Sequence, residues 1–178
     1  DIKIKFRATT PHNPSFWEFY LSSPSYDGAT MPLTWNIHSW ETISKKKLYD
    51  VLALRSAVFV VEQNCVYQDL DAKDEKAIHI LGCEQEALIA YARVFISTKT
   101  TVIGRVLVHP LFRGLGYGKL IMKKSIAQAP PNIPVHISAQ EHLKTFYESL
   151  GFSQTGSGYL EDGIPHITMA NLPIQPIA

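Results

Sequence analysis

Cysteine is almost missing from this chain: 178 residues hold two, Cys65 and Cys83, and they form no CxxC pair. That scarcity excludes a disulfide framework and a zinc knuckle, and two buried free thiols in a reducing cytoplasm are expected instead. No stretch approaches the roughly 18 consecutive apolar residues of a membrane-spanning helix. A leader is equally hard to find: the cations of Asp1-Ile2-Lys3-Ile4-Lys5 precede an apolar stretch, Phe16-Trp17-Glu18-Phe19-Tyr20-Leu21, that is short and broken by a carboxylate. Excess charge is absent as well, since 17 Lys and Arg face 16 Asp and Glu for a formal net charge of +1. No bulk field therefore draws the protein to nucleic acid or an anionic membrane, and any anion it binds must be held locally. The seven histidines include no HExxH and no close pair, so no metal is expected.

What is present is a core-forming composition, 46% hydrophobic and 19% charged, at a length that fits one domain of roughly 100–200 residues with an appendage. Residues 1–30 read as the appendage, because Pro11, Pro14 and Pro24 are scattered among Asn, Ser, Thr and Gly without lasting periodicity. Met31 reads as a natural start, with 31–178 as the domain and 1–30 as an extension of uncertain origin, either an appended sequence or an upstream translation. The domain opens on an alternating run, Leu33 to His38, expected as a strand. Apolar residues then recur every three or four positions through Leu48, Val51, Leu52, Val58 and Phe59, which predicts a helix. The preceding Lys45-Lys46-Lys47 lacks interleaved aromatics and reads as a solvated face. A polar connection over 68–76 leads to strands over 77–82, 86–96 and 100–108. Further on, 120–126 is helical, 135–139 a short strand, and His142 to Leu150 a helix closed by Gly151. Residues 158–160 and 166–169 form a terminal hairpin.

Between the strand ending at Val108 and the helix from Leu120 lies Arg113-Gly114-Leu115-Gly116-Tyr117-Gly118-Lys119. Strand, glycine loop, helix is the anatomy of a phosphate site: glycine lets backbone N–H groups approach the anion, and the helix dipole favours negative charge. A Walker A loop would need glycine five positions before Gly118 and Ser or Thr after the lysine, where this chain has Arg113 and Leu120. A dinucleotide fingerprint needs GxGxxG, whereas Gly114, Gly116 and Gly118 give GxGxG. What remains, Arg-x-x-Gly-x-Gly, resembles the acetyl-CoA loop of the GNAT superfamily of N-acetyltransferases. A second segment agrees, since Phe146-Tyr147 followed by Gly151-Phe152 looks like that family's second signature. More narrowly, Leu54-Arg55, Val58 to Cys65, Tyr67 to Asp71, His79 to Gly82, Ala90 to Arg93 and Glu161 to His166 resemble the ElaA-like branch. The likeness runs from about Trp35 to about Ala170.

The resemblance implies an α/β (α+β) fold: a strongly bent, partly splayed mixed sheet of about six or seven strands with helices on both faces. It implies acetyl-CoA as co-substrate, a primary amine of a small molecule or peptide as acceptor, no metal, a cytoplasmic location and a homodimer as a candidate assembly. Its cofactor-binding positions fall on the backbone of Leu107 and Val108 and on Arg113, Gly114, Leu115, Gly116, Tyr117, Gly118 and Lys119. Tyr147 is carried over as the catalytic acid for the departing thiolate, although Leu143, Phe146, Tyr147 and Leu150 share a helical face and a core aromatic is the alternative. Many members carry a glutamate on the strand before the loop, and Thr101 to Val108 has none, which leaves the base open. Glu62, Asp71, His79 and His166, with Asp69, are candidates there or as substrate-binding residues. Glu62, Asp69, Asp71, Glu161 and Asp162 would flank the acceptor side and so predict a cationic amine. The competing reading is an acyl-CoA-binding sensor or interaction module without turnover.

Overall fold

A computed structural model describes residues 32–172, so the expected extension, 1–30, lies outside the described residues. Strand β1 (Thr34–His38) leads to helix α1 (Lys45–Arg55). Ser44 caps α1 by accepting from the Lys47 N–H, which steadies an end where three lysines oppose the helix dipole. The helix does not stop at Arg55. It widens into π-helical turns over Ser56–Glu62, past the end of the apolar periodicity. Strands β2 (Ile78–Glu84), β3 (Ala87–Ile96) and β4 (Thr101–Val108) then form an antiparallel meander. After them come α2 (Tyr117–Ile126), β5 (Val135–Gln140), α3 (Lys144–Glu148), β6 (Ser153–Gln154), β7 (Tyr159–Glu161) and β8 (Ile164–Asn171). No helix among the described residues is long and apolar enough to cross a membrane.

All eight strands join one mixed sheet in the order β1-β2-β3-β4-β5-β8-β6, with β7 paired to β8. The count exceeds the six or seven implied because β6 has two residues, too few to show any alternation. Helices do cover both faces. On one face Ile103, Ile137, Ile167 and Met169 pack with Ile121 and Met122 of α2 and Tyr147 of α3. On the other, Leu81, Tyr91 and Leu107 pack with Val51 of α1 and Val58 of the π-helical turns. Ile103 and Leu107 are four apart on one strand and would share a face in a regular ladder. A bulge opposite Ala92 inverts the alternation between them, and Arg105 takes a left-handed φ of 51° there.

The β4–β5 pair is parallel, and its register runs only from Thr101↔Val135 to Ile103↔Ile137. Beyond that point β4 continues to Val108 and β5 to Gln140 without pairing to each other. The sheet therefore opens along a seam between two strands whose backbones are left to other partners.

Candidate active site

At the open end of the seam, strand alternation decides which backbone groups face it. The His109 N–H donates to the Ile89 carbonyl at 2.8 Å, so Val108 turns its own N–H and C=O away from β3 and into the seam. Leu107 turns back to β3 and buries its side chain in the α1-side core. Of the two backbone positions expected to meet a ligand, the seam thus receives Val108 and not Leu107.

The glycine loop lies at the same end. Gly114 and Gly116 take φ of 80° and 83°, and a Cβ on either would meet nothing within 4 Å. Glycine is needed there for the turn, and the space above the loop is open. Gly116 caps α2 without any side-chain hydrogen bond, which leaves the first N–H groups of a ten-residue helix directed at that space. A Cβ on Gly118 would lie 3.5 Å from the Phe146 ring, the contact of α2 with α3. Tyr117 is buried, so its backbone alone can serve a ligand, while Leu115 is half-buried and Lys119 stands exposed in the first helical turn.

Arg113 departs from expectation. Its Nε donates to the Val108 carbonyl at 3.2 Å, and its two terminal nitrogens grip both carboxylate oxygens of Glu62 at 2.6 and 2.9 Å. The side chain thus ties the end of the π-helical turns to the seam. Tyr147 lies within the α2-side core, edge-on to Phe146 and Phe152. Burial pushes its phenol up to about 12, and its hydroxyl has no hydrogen-bond partner among the described residues.

Residues 63–76, with 68–76 expected as a polar connection, close over a buried ionic cluster. Arg55, fully enclosed, donates to Asp69 at 2.8 Å, to Asp74 at 2.6 Å and to the Asp69 carbonyl at 3.0 Å. Arg93 holds Asp71 with two bonds of 2.7 Å and Asp74 with one of 2.9 Å, and Arg105 donates to Asp69 at 2.6 Å. Hydrogen bonds from Arg93 hold the Asp71 carboxyl well below the usual range. Burial works to raise Asp74, but the Arg55 and Arg93 guanidiniums overcome it and keep that carboxyl low. His79 is enclosed, its Nε2–H donating to the Asp74 carbonyl at 3.0 Å and its Nδ1 accepting from the Tyr91 hydroxyl at 2.8 Å. Burial lowers its imidazole from the ordinary 6.5. Asp69 and His79 are buried and anchor this loop, a correction to their reading as acceptor-side groups, while Asp71 is partly exposed and held by Arg93. Arg55, Arg93 and Arg105 are the residues that reading lacked, and three aspartates within six positions are the signal that cations had to meet them.

On the β5 side of the seam a second polar group assembles. Ser138 follows Ile137, where pairing to β4 ends. It donates to the Glu161 carboxylate at 2.9 Å, so the Tyr159 hydroxyl, 2.5 Å from Ser138 Oγ, is donor to it. His166 stacks on Tyr159 with ring centroids 6.0 Å apart, its Nδ1–H donating to the Ile164 carbonyl. The turn beside them is Asp162-Gly163, both at positive φ, the two-residue hairpin form. Cys65 Sγ lies 3.6 Å from the Asp162 carbonyl, and Gln140 donates to Gln63 at 3.2 Å. The end of the π-helical turns thus meets this hairpin. An open groove of about 250 Å³ adjoins it, lined by Glu141, Gly158, Tyr159, Leu160, Pro165 and His166.

A sheet split between parallel strands, with a glycine loop and an uncapped helix at the opening, is the architecture of an acyl-CoA transferase. The sequence model described as "Acetyltransferase (GNAT) domain" matches residues 41–172, and the chain belongs to that family. Protein ElaA of Escherichia coli K12 is 44% identical over 151 residues, 80% of this chain and 99% of that protein. Its crystal structure gives a TM-score of 0.74 at 43% identity over 78% of this chain and 99% of that one. An acyl-CoA N-acyltransferase from Pseudomonas aeruginosa gives 0.73 at 35% identity over 78% and 99%. A GNAT acetyltransferase of Elizabethkingia anophelis, solved with acetyl-CoA bound, shares the fold at 16% identity, with a TM-score of 0.55 over 80% and 99%. A second sequence model, described as a cellulose-degrading lytic polysaccharide mono-oxygenase, matches residues 1–75, less than half of the chain. Its residues 41–75 overlap the acetyltransferase match, and 1–31 lie outside the described residues.

Proposed function

We propose that the protein transfers an acetyl group from acetyl-CoA to a primary amine. The observation that carries this reading is Val108: its backbone N–H opens into the seam beside a glycine loop with room above it and uncapped helical N–H groups. Those groups suit a pyrophosphate, and a strand N–H suits a thioester oxygen as it gains charge. The acetyl-CoA bound to the E. anophelis protein and the name of the P. aeruginosa relative support the choice of ligand.

In the transfer the amine lone pair attacks the thioester carbonyl, a C–N bond forms and the carbonyl electrons move onto oxygen. Collapse then breaks the C–S bond, and the electron pair leaves on sulfur. Tyr147 is assigned to meet that sulfur with its O–H. Glu62, bridged by Arg113 to Val108, is assigned as acceptor of the amine proton, because Asp69 and His79 are buried and Asp71 is held by Arg93 at both oxygens. Calorimetry with acetyl-CoA and thiol release over a panel of primary amines test the reading together. Gly116→Asp, which puts a Cβ and a negative charge over the loop, is expected to weaken acetyl-CoA at least about tenfold. Unchanged affinity in a folded variant would remove Arg113 to Gly118 from the site, and binding without transfer to any amine would make the protein a binding module.

A further inference from the structure

The acceptor side can be read from which carboxylates are already neutralised. Of the five acids expected there, Glu62 is gripped by Arg113, Asp69 by Arg55 and Arg105, and Asp71 by Arg93. Asp162 sits in the turn, and among the described residues no side-chain bond orients its carboxylate. Glu161 differs from all four. It is exposed, it has no cationic partner among the described residues, and Ser138 holds one of its oxygens at the point where β5 leaves β4. Ser138 is in turn fixed by the Tyr159 hydroxyl, and Tyr159 by its stack on His166. A carboxylate that spends a hydroxyl relay on its orientation, beside two aromatic faces, is built to receive a positive charge rather than to be solvated.

That charge is not the reacting one. The attacking nitrogen must lose its proton, and an ion pair with a carboxylate would hold the proton on. We propose that Glu161, aimed by Ser138 and flanked by Tyr159 and His166, binds a second, unreacting cation. The acceptor is then a primary amine that carries another cationic group. This inference rests on the acetyl-transfer reading and narrows its substrate class. Ser138 is a positioning residue in it, and Glu141, which lines the adjoining groove with the same two rings, adds negative potential.

The test compares acceptors matched in length: 1,4-diaminobutane and 1,6-diaminohexane, then pentylamine and heptylamine, then 5-aminopentanoate and 7-aminoheptanoate. For the wild-type chain the better diamine is expected to exceed its neutral and anionic counterparts by about tenfold or more in kcat/KM, the scale of one hydrogen bond to a charged group. Glu161→Gln is expected to bring the three classes within about threefold, the loss falling on KM, with acetyl-CoA affinity by calorimetry unchanged. Glu161→Lys is expected to turn the preference toward the aminoalkanoates. Ser138→Ala is expected to raise the diamine KM about threefold and leave pentylamine alone. Comparable use of neutral acceptors by the wild type, or a diamine preference that survives Glu161→Gln, would overturn this inference alone. Acetyl-CoA binding without transfer to any amine would overturn the acetyl-transfer reading and this inference with it.

Discussion

Tyr147 shows how a magnitude chooses between roles. Tyr147→Phe keeps both edge contacts in the core and removes only the hydroxyl. A phenol raised to about 12 yields its proton reluctantly to a thiolate whose thiol ordinarily titrates near 8.5. In the proposed transfer its help would thus be a hydrogen bond to sulfur more than a completed proton transfer. The expected loss in single-turnover rate is about tenfold to a hundredfold, at or below the bottom of the usual general-acid range, with acetyl-CoA affinity unchanged. The same raised value fixes the pH profile. Turnover should climb through neutrality as the amine deprotonates, and no alkaline fall attributable to Tyr147 should appear below about pH 10. The loop of Gly116 and the helix of Tyr147 are legible in the sequence because their motifs are local. Ser138 and Tyr159 are not, since they meet across β8 at a separation of 21 residues.

The loop over residues 63–76 is held by charge. Arg55→Ala would take one of two guanidiniums from each of Asp69 and Asp74, which keep Arg105 and Arg93, an expected cost of about 3 kcal/mol, read as a lower urea midpoint. Breaking the exposed Arg113–Glu62 pair should cost only about 0–1 kcal/mol. Acid should act on this element in two stages. His79 is lowered from 6.5, so the unfolded chain takes up a proton that the folded one refuses, and stability falls as pH drops below about 6.5. Asp71 and Asp74 are depressed from 3.8, so their contribution is complete above that value and is lost as pH falls below it toward their folded values. Urea titrations at successive pH values check this order, and His79→Gln should shrink the first stage and leave the part due to His38, which burial also lowers. The sequence shows the acids but not their state, because the arginines arrive from α1, β3 and β4 at separations of 14 to 36 residues.

For the whole molecule, the strands other than β6 and the helices were readable because each carries its own period and its own turn residues. The bulge at Arg105 and the π-helical turns were not. Each changes the ladder by a residue without marking the composition, and the bulge decides which face Leu107 occupies. Every seam residue lies within 32–172, so deleting residues 1–30 is expected to leave acetyl-CoA affinity unchanged and Tm within about 2 °C, by calorimetry. The position of β8 bears on how the protein is made. It enters the sheet between β5 and β6 and also pairs with β7, so a nascent chain holds β5 by three parallel residue pairs alone until Ile164–Asn171 has left the ribosome. The β2–β4 meander can form early in synthesis, whereas the half that bears Glu161 must wait until β8 has emerged. A message cut short before that strand would yield a product with an open, apolar edge at Ile137 and Ala139, a target for quality-control proteases rather than a weakened enzyme.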